Sequence, residues 1–199
     1  MHASHEGEPV AEWLRTLGFQ SRVVKYPLHT RHPGPLHFIQ REIDVERETG
    51  AHSVGVLGFS AGGHLAGLAA ASANSRPDFA ILCYPVVSML MATHRASREV
   101  LLGRRAGRRK RYRISVEKLV DSRTNPVFIW HTAEDEIVPV EHSYRLAGAL
   151  AAAGVAHEMH AFSAGEHGLG LADGSAAEQW RSLCARWLAG LEREAAVGP

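Results

Sequence analysis

The chain has 199 residues, of which 45% are hydrophobic and 22% charged, the balance of an ordinary soluble globular protein with a substantial core. A formal net charge of +1 excludes a global field that would draw it to nucleic acid or to a membrane surface. No 18-residue apolar run and no charged-then-apolar leader is present, so the expectation is a cytoplasmic protein forming one domain over 1–199. Taken in chain order, Glu8 to Leu17 places Val10, Trp13, Leu14 and Leu17 at helical spacing, with Gly18 to end the helix. Ser21 to Tyr26 reads as a strand, and Pro27 to Pro35 as a loop. Leu36 to Thr49 is helical, with Leu36, Ile39 and Ile43 on one face. Ser53 to Gly58 is a strand, Ala61 to Ala73 a helix, and Phe79 to Tyr84 a third strand. Pro126 to His131 is a fourth strand and Val155 to Phe162 a fifth, with a helix at Glu141 to Ala153 between them. In the final helix Trp180, Leu183, Cys184, Trp187, Leu188 and Leu191 form an amphipathic stripe. Strands alternating with helices predict the α/β class, a mostly parallel sheet with flanking helices.

Arg104 to Arg113 interrupts this alternation, with seven of ten residues Arg or Lys. Such a run can bind nucleic acid, but Tyr112 is its only aromatic residue and the rest of the chain adds no basic surplus. A solvated surface excursion is therefore expected, one that biases the protein towards acidic substrates only if it covers the pocket. Cys83 and Cys184 fall in a strand and a helix and read as reduced core residues, since no framework of spaced cysteines exists. His157-x-x-His160 has a spacing that suits a metal on a helix, yet it lies in a strand-like run, so a metal site is not expected.

The stretch Gly58-Phe59-Ser60-Ala61-Gly62 follows the short apolar run Val54, Val56, Leu57 and opens into helix formers. This is the strand, tight turn and helix of a nucleophile elbow. A serine there occupies a strained backbone position with its hydroxyl clear of the sheet, and a glycine two places to either side lets backbone pass close. The helix start behind it offers N–H groups and a positive dipole end to a developing oxyanion.

A serine hydroxyl needs a base, and an imidazole base needs a carboxylate to hold its tautomer. In α/β hydrolases the chain order is Ser, Asp or Glu, His, each at or after the carboxyl end of a strand. After Pro126 to His131 comes Thr132-Ala133-Glu134-Asp135-Glu136-Ile137-Val138-Pro139, and Asp135, three residues before Val138, is the expected acid. Glu134 and Glu136 read as exposed loop acids. After the next strand comes Gly165-Glu166-His167-Gly168-Leu169, which makes His167 the expected base. His131, at a strand end, reads as a supporting histidine, and His64 as helix packing.

The stretches Gly-Phe-Ser-Ala-Gly-Gly-His-Leu-Ala (58–66), Trp-His-Thr-Ala-Glu-Asp-Glu-Ile-Val-Pro-Val (130–140) and Gly-Glu-His-Gly-Leu-Gly-Leu (165–171) resemble serine esterases of the α/β-hydrolase superfamily. Within it the chain looks like the acetyl-xylan-esterase-like and hormone-sensitive-lipase-like branch, to which His94 to Glu99 and Leu101-Leu102-Gly103 are also similar. The resemblance runs from about Glu6 to the last helix. It implies a carboxylic-ester hydrolase acting on a saccharide or small-molecule ester, often an acetyl ester, without a cofactor. By the resemblance Ser60 is the nucleophile, Asp135 the orienting acid, His167 the general acid–base, and the Ala61 N–H an oxyanion donor.

That family carries further strands and a Gly-rich oxyanion loop before the helix that begins here near Glu8. Met1 to Gly7 start after that point, so an N-terminally truncated hydrolase is expected, with impaired activity. The strands at Ser21–Tyr26 and Ser53–Gly58 would then pair directly or leave unpaired edges that invite association, and a homo-oligomer stays open. A binding or vestigial hydrolase-fold protein is the alternative. A peptidase of the prolyl-oligopeptidase type is a lesser one, since no propeller accompanies the motifs.

Overall fold

The computed structural model describes residues 5–93 and 95–197. Met1 to Ser4, His94 and residues 198–199 lie outside the described residues, and with them the histidine of the His94 motif and both ends of the expected domain span. Four strands form one parallel sheet, β1 (Gly55–Phe59), β2 (Phe79–Cys83), β3 (Val127–Thr132) and β4 (His157–Phe162), in that spatial order. Parallel neighbours need crossovers, supplied by α3 (Ser60–Ala70) between β1 and β2 and by α6 (Glu141–Ala152) between β3 and β4. Between β2 and β3 the chain makes a longer excursion through α4 (Arg95–Leu102), α5 (Arg108–Tyr112) and a 3₁₀ turn at Val116–Lys118. The basic run therefore includes a short helix on that excursion.

Both faces of the sheet are covered, which is why the central strands β2 and β3 read as nearly continuous apolar runs. The period-2 alternation divides them. Ala80, Leu82, Val127 and Ile129 pack towards Leu68 of α3 and Leu146 and Leu150 of α6. Ile81, Cys83, Phe128 and Trp130 face Val10 of α1 (Glu8–Thr16) and Trp180, Cys184, Trp187 and Leu188 of α7 (Trp180–Val197). Trp130 stacks on Trp180 with ring centroids 5.2 Å apart, and Trp13 meets the same indole edge-on at 4.9 Å. Ile43 of α2 (Gly34–Glu48) closes a third cluster with Val54 and Ala69. Cys83 and Cys184 are buried free thiols, as expected from their places in a strand and a helix without a framework of spaced cysteines. Gly18, at φ +93°, ends α1: its N–H and that of Phe19 return to the carbonyls of Arg15 and Leu14.

One expected strand is absent. Ser21 to Tyr26 is not in the sheet, and β1 is an edge strand with only β2 beside it. A strand exists only where its backbone finds a ladder partner, and the described chain offers none at that position. Side chains hold the segment instead: Ser21 Oγ donates to the Ala11 carbonyl at 2.6 Å, and Arg22 reaches Glu42 and Glu46 of α2 at 2.7 and 2.5 Å. Of the two outcomes expected for these segments, the unpaired edge is the one observed. The other element boundaries lie within a few residues of their sequence-predicted positions.

Candidate active site

β1 runs straight into α3. Phe59 is extended (φ −107°, ψ 139°), Ser60 is left-handed at φ +50°, and the helix follows at once. A non-glycine residue there costs roughly 1–3 kcal/mol and persists only because its surroundings hold it. One constraint is the Val86 N–H, which donates to the Ser60 carbonyl at 3.1 Å. Another is close backbone packing. A Cβ on Gly58 would stand 2.3 Å from the Gly62 carbonyl oxygen, so the chain can turn this tightly only without a side chain at 58. Gly62 itself would meet nothing within 4 Å, which corrects the expectation that both flanking glycines are needed for clearance. The Ala61 N–H lies in the first turn of α3, where N–H groups have no intrahelical acceptor.

The loops after β3 and β4 bring the other two residues to this turn. His167 Nε2 lies 2.8 Å from Ser60 Oγ, and His167 Nδ1 lies 2.6 Å from Asp135 Oδ2. Asp135 follows β3 by three residues and folds back on its own loop: its Oδ1 accepts the N–H groups of Ile137 (3.0 Å) and Val138 (2.8 Å). His131 stands behind, with Nε2 at 3.2 Å from Asp135 Oδ2 and 2.8 Å from the Val138 carbonyl. Its Nδ1 is 2.7 Å from Ser143 Oγ on α6. Since a carbonyl can only accept, His131 carries its proton on Nε2 and accepts a hydrogen bond from the Ser143 hydroxyl at Nδ1. Burial pushes the Asp135 carboxyl up, but hydrogen bonds from His131, His167 and the Val138 N–H outweigh it and hold the group well below the usual carboxylate range. Asp135 is thus a carboxylate, which assigns the Nδ1–H tautomer to His167 and leaves its Nε2 lone pair facing the serine hydroxyl.

The histidine loop is braced by residues that no sequence spacing marked. The Tyr84 ring packs edge-on against the His167 ring with centroids 5.0 Å apart. Its hydroxyl donates to Glu6 Oε1 at 2.6 Å and accepts the Gly170 N–H at 3.0 Å. His5 Nε2 donates to the Gly168 carbonyl at 2.8 Å. Tyr84 continues an apolar strand and reads as one more core residue, while Glu6 lies 78 positions away. Only the tertiary fold joins them. Glu134, an exposed loop acid as expected, also accepts the Gly165 N–H at 3.0 Å and so ties the acid loop to the histidine loop.

An open cleft of about 730 Å³ lies over these loops, lined by Ala133 to Ile137, Glu166 and His167. No residue of the basic run lines it, and three glutamates do. His64 is packed inside α3, with Nδ1 at 3.1 Å from the Val86 carbonyl, and takes no part. His157 and His160, three apart on β4, point to opposite faces: Nδ1 of His157 bonds the Val155 carbonyl, and His160 packs on Phe128. Among the described residues no group of three or more His, Cys, Asp or Glu is placed to hold a metal ion, and no helix is long and apolar enough to cross a membrane.

Comparison with known proteins places the chain among hydrolases. The chain is 33% identical over 207 residues to endo-1,4-beta-xylanase B of Butyrivibrio fibrisolvens, covering 90% of this chain and 32% of that protein. It is 30% identical over 181 residues to an acetylxylan esterase of Xylanibacter ruminicola, covering 84% and 38%. The chain therefore spans a little over a third, or less, of the curated relatives it matches. Among solved structures, an acetyl ester-xyloside bifunctional hydrolase from Caldicellulosiruptor lactoaceticus superposes with a TM-score of 0.85 at 37% identity, covering 95% of this chain and 78% of that one. A carboxylesterase from Lactobacillus plantarum gives 0.77 at 26% identity, covering 96% and 81%. These neighbours are α/β hydrolases in fold, and the family model of the prolyl oligopeptidases matches residues 41–191. With the serine turn, the acid loop and the histidine loop all inside that match, the chain belongs to the prolyl oligopeptidase family of α/β hydrolases.

Proposed function

We propose that this chain is a serine carboxylic-ester hydrolase that removes short acyl groups, acetyl above all, from saccharides or small esters. The observation that carries the reading is the continuous hydrogen-bond line from Asp135 through His167 to Ser60. In this mechanism His167 Nε2 takes the Ser60 Oγ proton as Oγ attacks the ester carbonyl. The Ala61 N–H receives the developing oxyanion at the start of α3. Collapse of the tetrahedral intermediate breaks the ester C–O bond, the alcohol leaves with the proton from His167, and the acyl group stays on Ser60. Water then attacks the acyl-enzyme, His167 takes its proton, and the free acid leaves as Ser60 regains its hydrogen. Asp135 keeps the imidazole in the productive tautomer and stabilises its cationic form; it is not protonated itself. His131 and Tyr84 are positioning residues, one acting through Asp135 and the other through the ring of His167.

The named activities of the xylan-related relatives support an acetylated saccharide as substrate. Fold and triad order are shared with peptidases, so the family match alone does not choose between ester and peptide. The reading includes a cytoplasmic setting, supported by two unpaired buried thiols. The test is hydrolysis of p-nitrophenyl acetate by the purified chain with Ser60→Ala as control, beside a proline-containing peptide p-nitroanilide. Ester turnover lost in the variant supports the proposal. Equal rates for two folded proteins point to a non-catalytic hydrolase fold, and a preference for the anilide points to a peptidase.

A further inference from the structure

The basic run has no part in the cleft over His167, yet it is not simply spread over the surface. Arg104 and Arg111 meet Arg95 and Arg98 of α4 around a cavity of about 220 Å³, completed by Glu99, Gly103 and Ala106. Arg31, from the loop before α2, brings its guanidinium carbon to 3.5 Å from where a Cβ on Gly103 would stand. Five arginines from separate parts of the chain thus converge. Glu99 is the single carboxylate among the lining residues, and it is already paired with Arg95 at 2.7 Å, with Arg104 at 3.9 Å.

Two of these cations are fixed by the backbone. Arg98 donates Nη1–H to the Met91 carbonyl at 3.1 Å, and Arg111 donates Nε–H to the Ala106 carbonyl at 3.0 Å. Both are half-buried, and each guanidinium has five N–H donors, so most of their donors stay available beside the cavity. Burial lowers the Arg98 pKa, and the charges of Arg111 and Arg95 lower it further. Arg95 and Arg104 are largely exposed and reach the cavity from its rim, whereas Arg98 and Arg111 are half-buried beside it. The space they border is short of negative charge, and the fork geometry of guanidinium suits oxygen atoms in pairs.

We propose that the cavity bounded by Arg95, Arg98, Arg104 and Arg111 binds a small oxyanion, the phosphoryl or carboxylate group of a sugar-sized ligand. It shares no lining residue with the cleft over His167. The inference goes beyond the ester-hydrolase reading and does not depend on turnover.

Calorimetric titration of the 199-residue chain with inorganic phosphate and with D-glucuronate, in a low-chloride zwitterionic buffer with D-xylose as neutral control, tests it. At least one anion should bind while xylose does not, and the tighter of the two identifies the group as phosphoryl or carboxylate. The pair Arg98→Gln and Arg111→Gln should weaken that affinity by about ten-fold or more, the loss expected for charge-assisted hydrogen bonds. Glu99→Gln removes the one opposing carboxylate and should tighten it several-fold, so loss of fold cannot mimic the pattern. Failure of both anions to bind, binding that survives in the double variant, or weaker binding in Glu99→Gln would overturn the proposal.

Discussion

Lowering the pH from 7.5 to 5.0 should destabilise this protein measurably through one buried histidine. His64 is 3% exposed on α3, donates Nδ1–H to the Val86 carbonyl at 3.1 Å, and has no partner for Nε2. A second proton there would sit in the core without an acceptor. Burial, aided by the nearby His32 and His142 and opposed by the Val86 bond, therefore lowers its pKa from 6.5 to about 3. As pH falls through 6.5, the unfolded chain takes up this proton and the folded chain does not. The stability linked to His64 is thus fully present above pH 6.5 and is lost progressively down to about 3. At pH 5.0 the loss from this group comes to about 2 kcal/mol. His142 and His32, also depressed mainly by burial, act in the same direction. Urea unfolding of the wild type and of His64→Asn at the two pH values isolates the term, because the amide keeps a donor for Val86 without titrating. The variant should lose less on acidification by about 2 kcal/mol, or ~0.7–1 M in midpoint at a typical urea slope. Equal losses in the two proteins would refute the assignment of a neutral, unpartnered His64.

The remaining predictions concern the site. Gly58→Ala forces a Cβ against the Gly62 carbonyl at 2.3 Å, whereas Gly62→Ala enters open space. The first should cost roughly 3 kcal/mol or more and lower Tm by about 6–12 °C, and the second should leave Tm nearly unchanged in a thermal melt. Asp135→Asn replaces an acceptor of four donors by a group that is half donor, which frees His167 to take the wrong tautomer. The kcat/KM for p-nitrophenyl acetate should fall by about 10⁴-fold with the circular dichroism spectrum retained, and a loss below about ten-fold would count against Asp135 as the orienting acid.

How much of this was legible beforehand follows from how far apart the interacting groups lie. The serine turn could be read because strand, turn and helix are all local, and the acid and histidine loops because each follows a strand-like run at a short distance. The parallel sheet followed from the alternation of those runs with amphipathic helices. Ser21 to Tyr26 shows the limit of such reading: it has the composition of a strand, but strand pairing is a property of two segments. Gly62 shows another, since a motif glycine is required only where another group approaches, and the approach falls on Gly58.

What the sequence by itself determined is the set of local choices: where the chain is helical or extended, where it must turn tightly, and which Ser, Asp and His stand after strand ends. The tertiary structure alone decided the rest. It joined Tyr84 to Glu6 and Gly170, set Ser143 behind His131, left β1 at the sheet edge, and gathered Arg95 and Arg98 of α4 with Arg104 and Arg111 around one cavity. The physical reason is the same in each case. Backbone propensity and hydrophobic period act over a few residues, whereas hydrogen bonds, buried charge and steric clearance are settled between groups that only the packed sheet brings within a few ångströms.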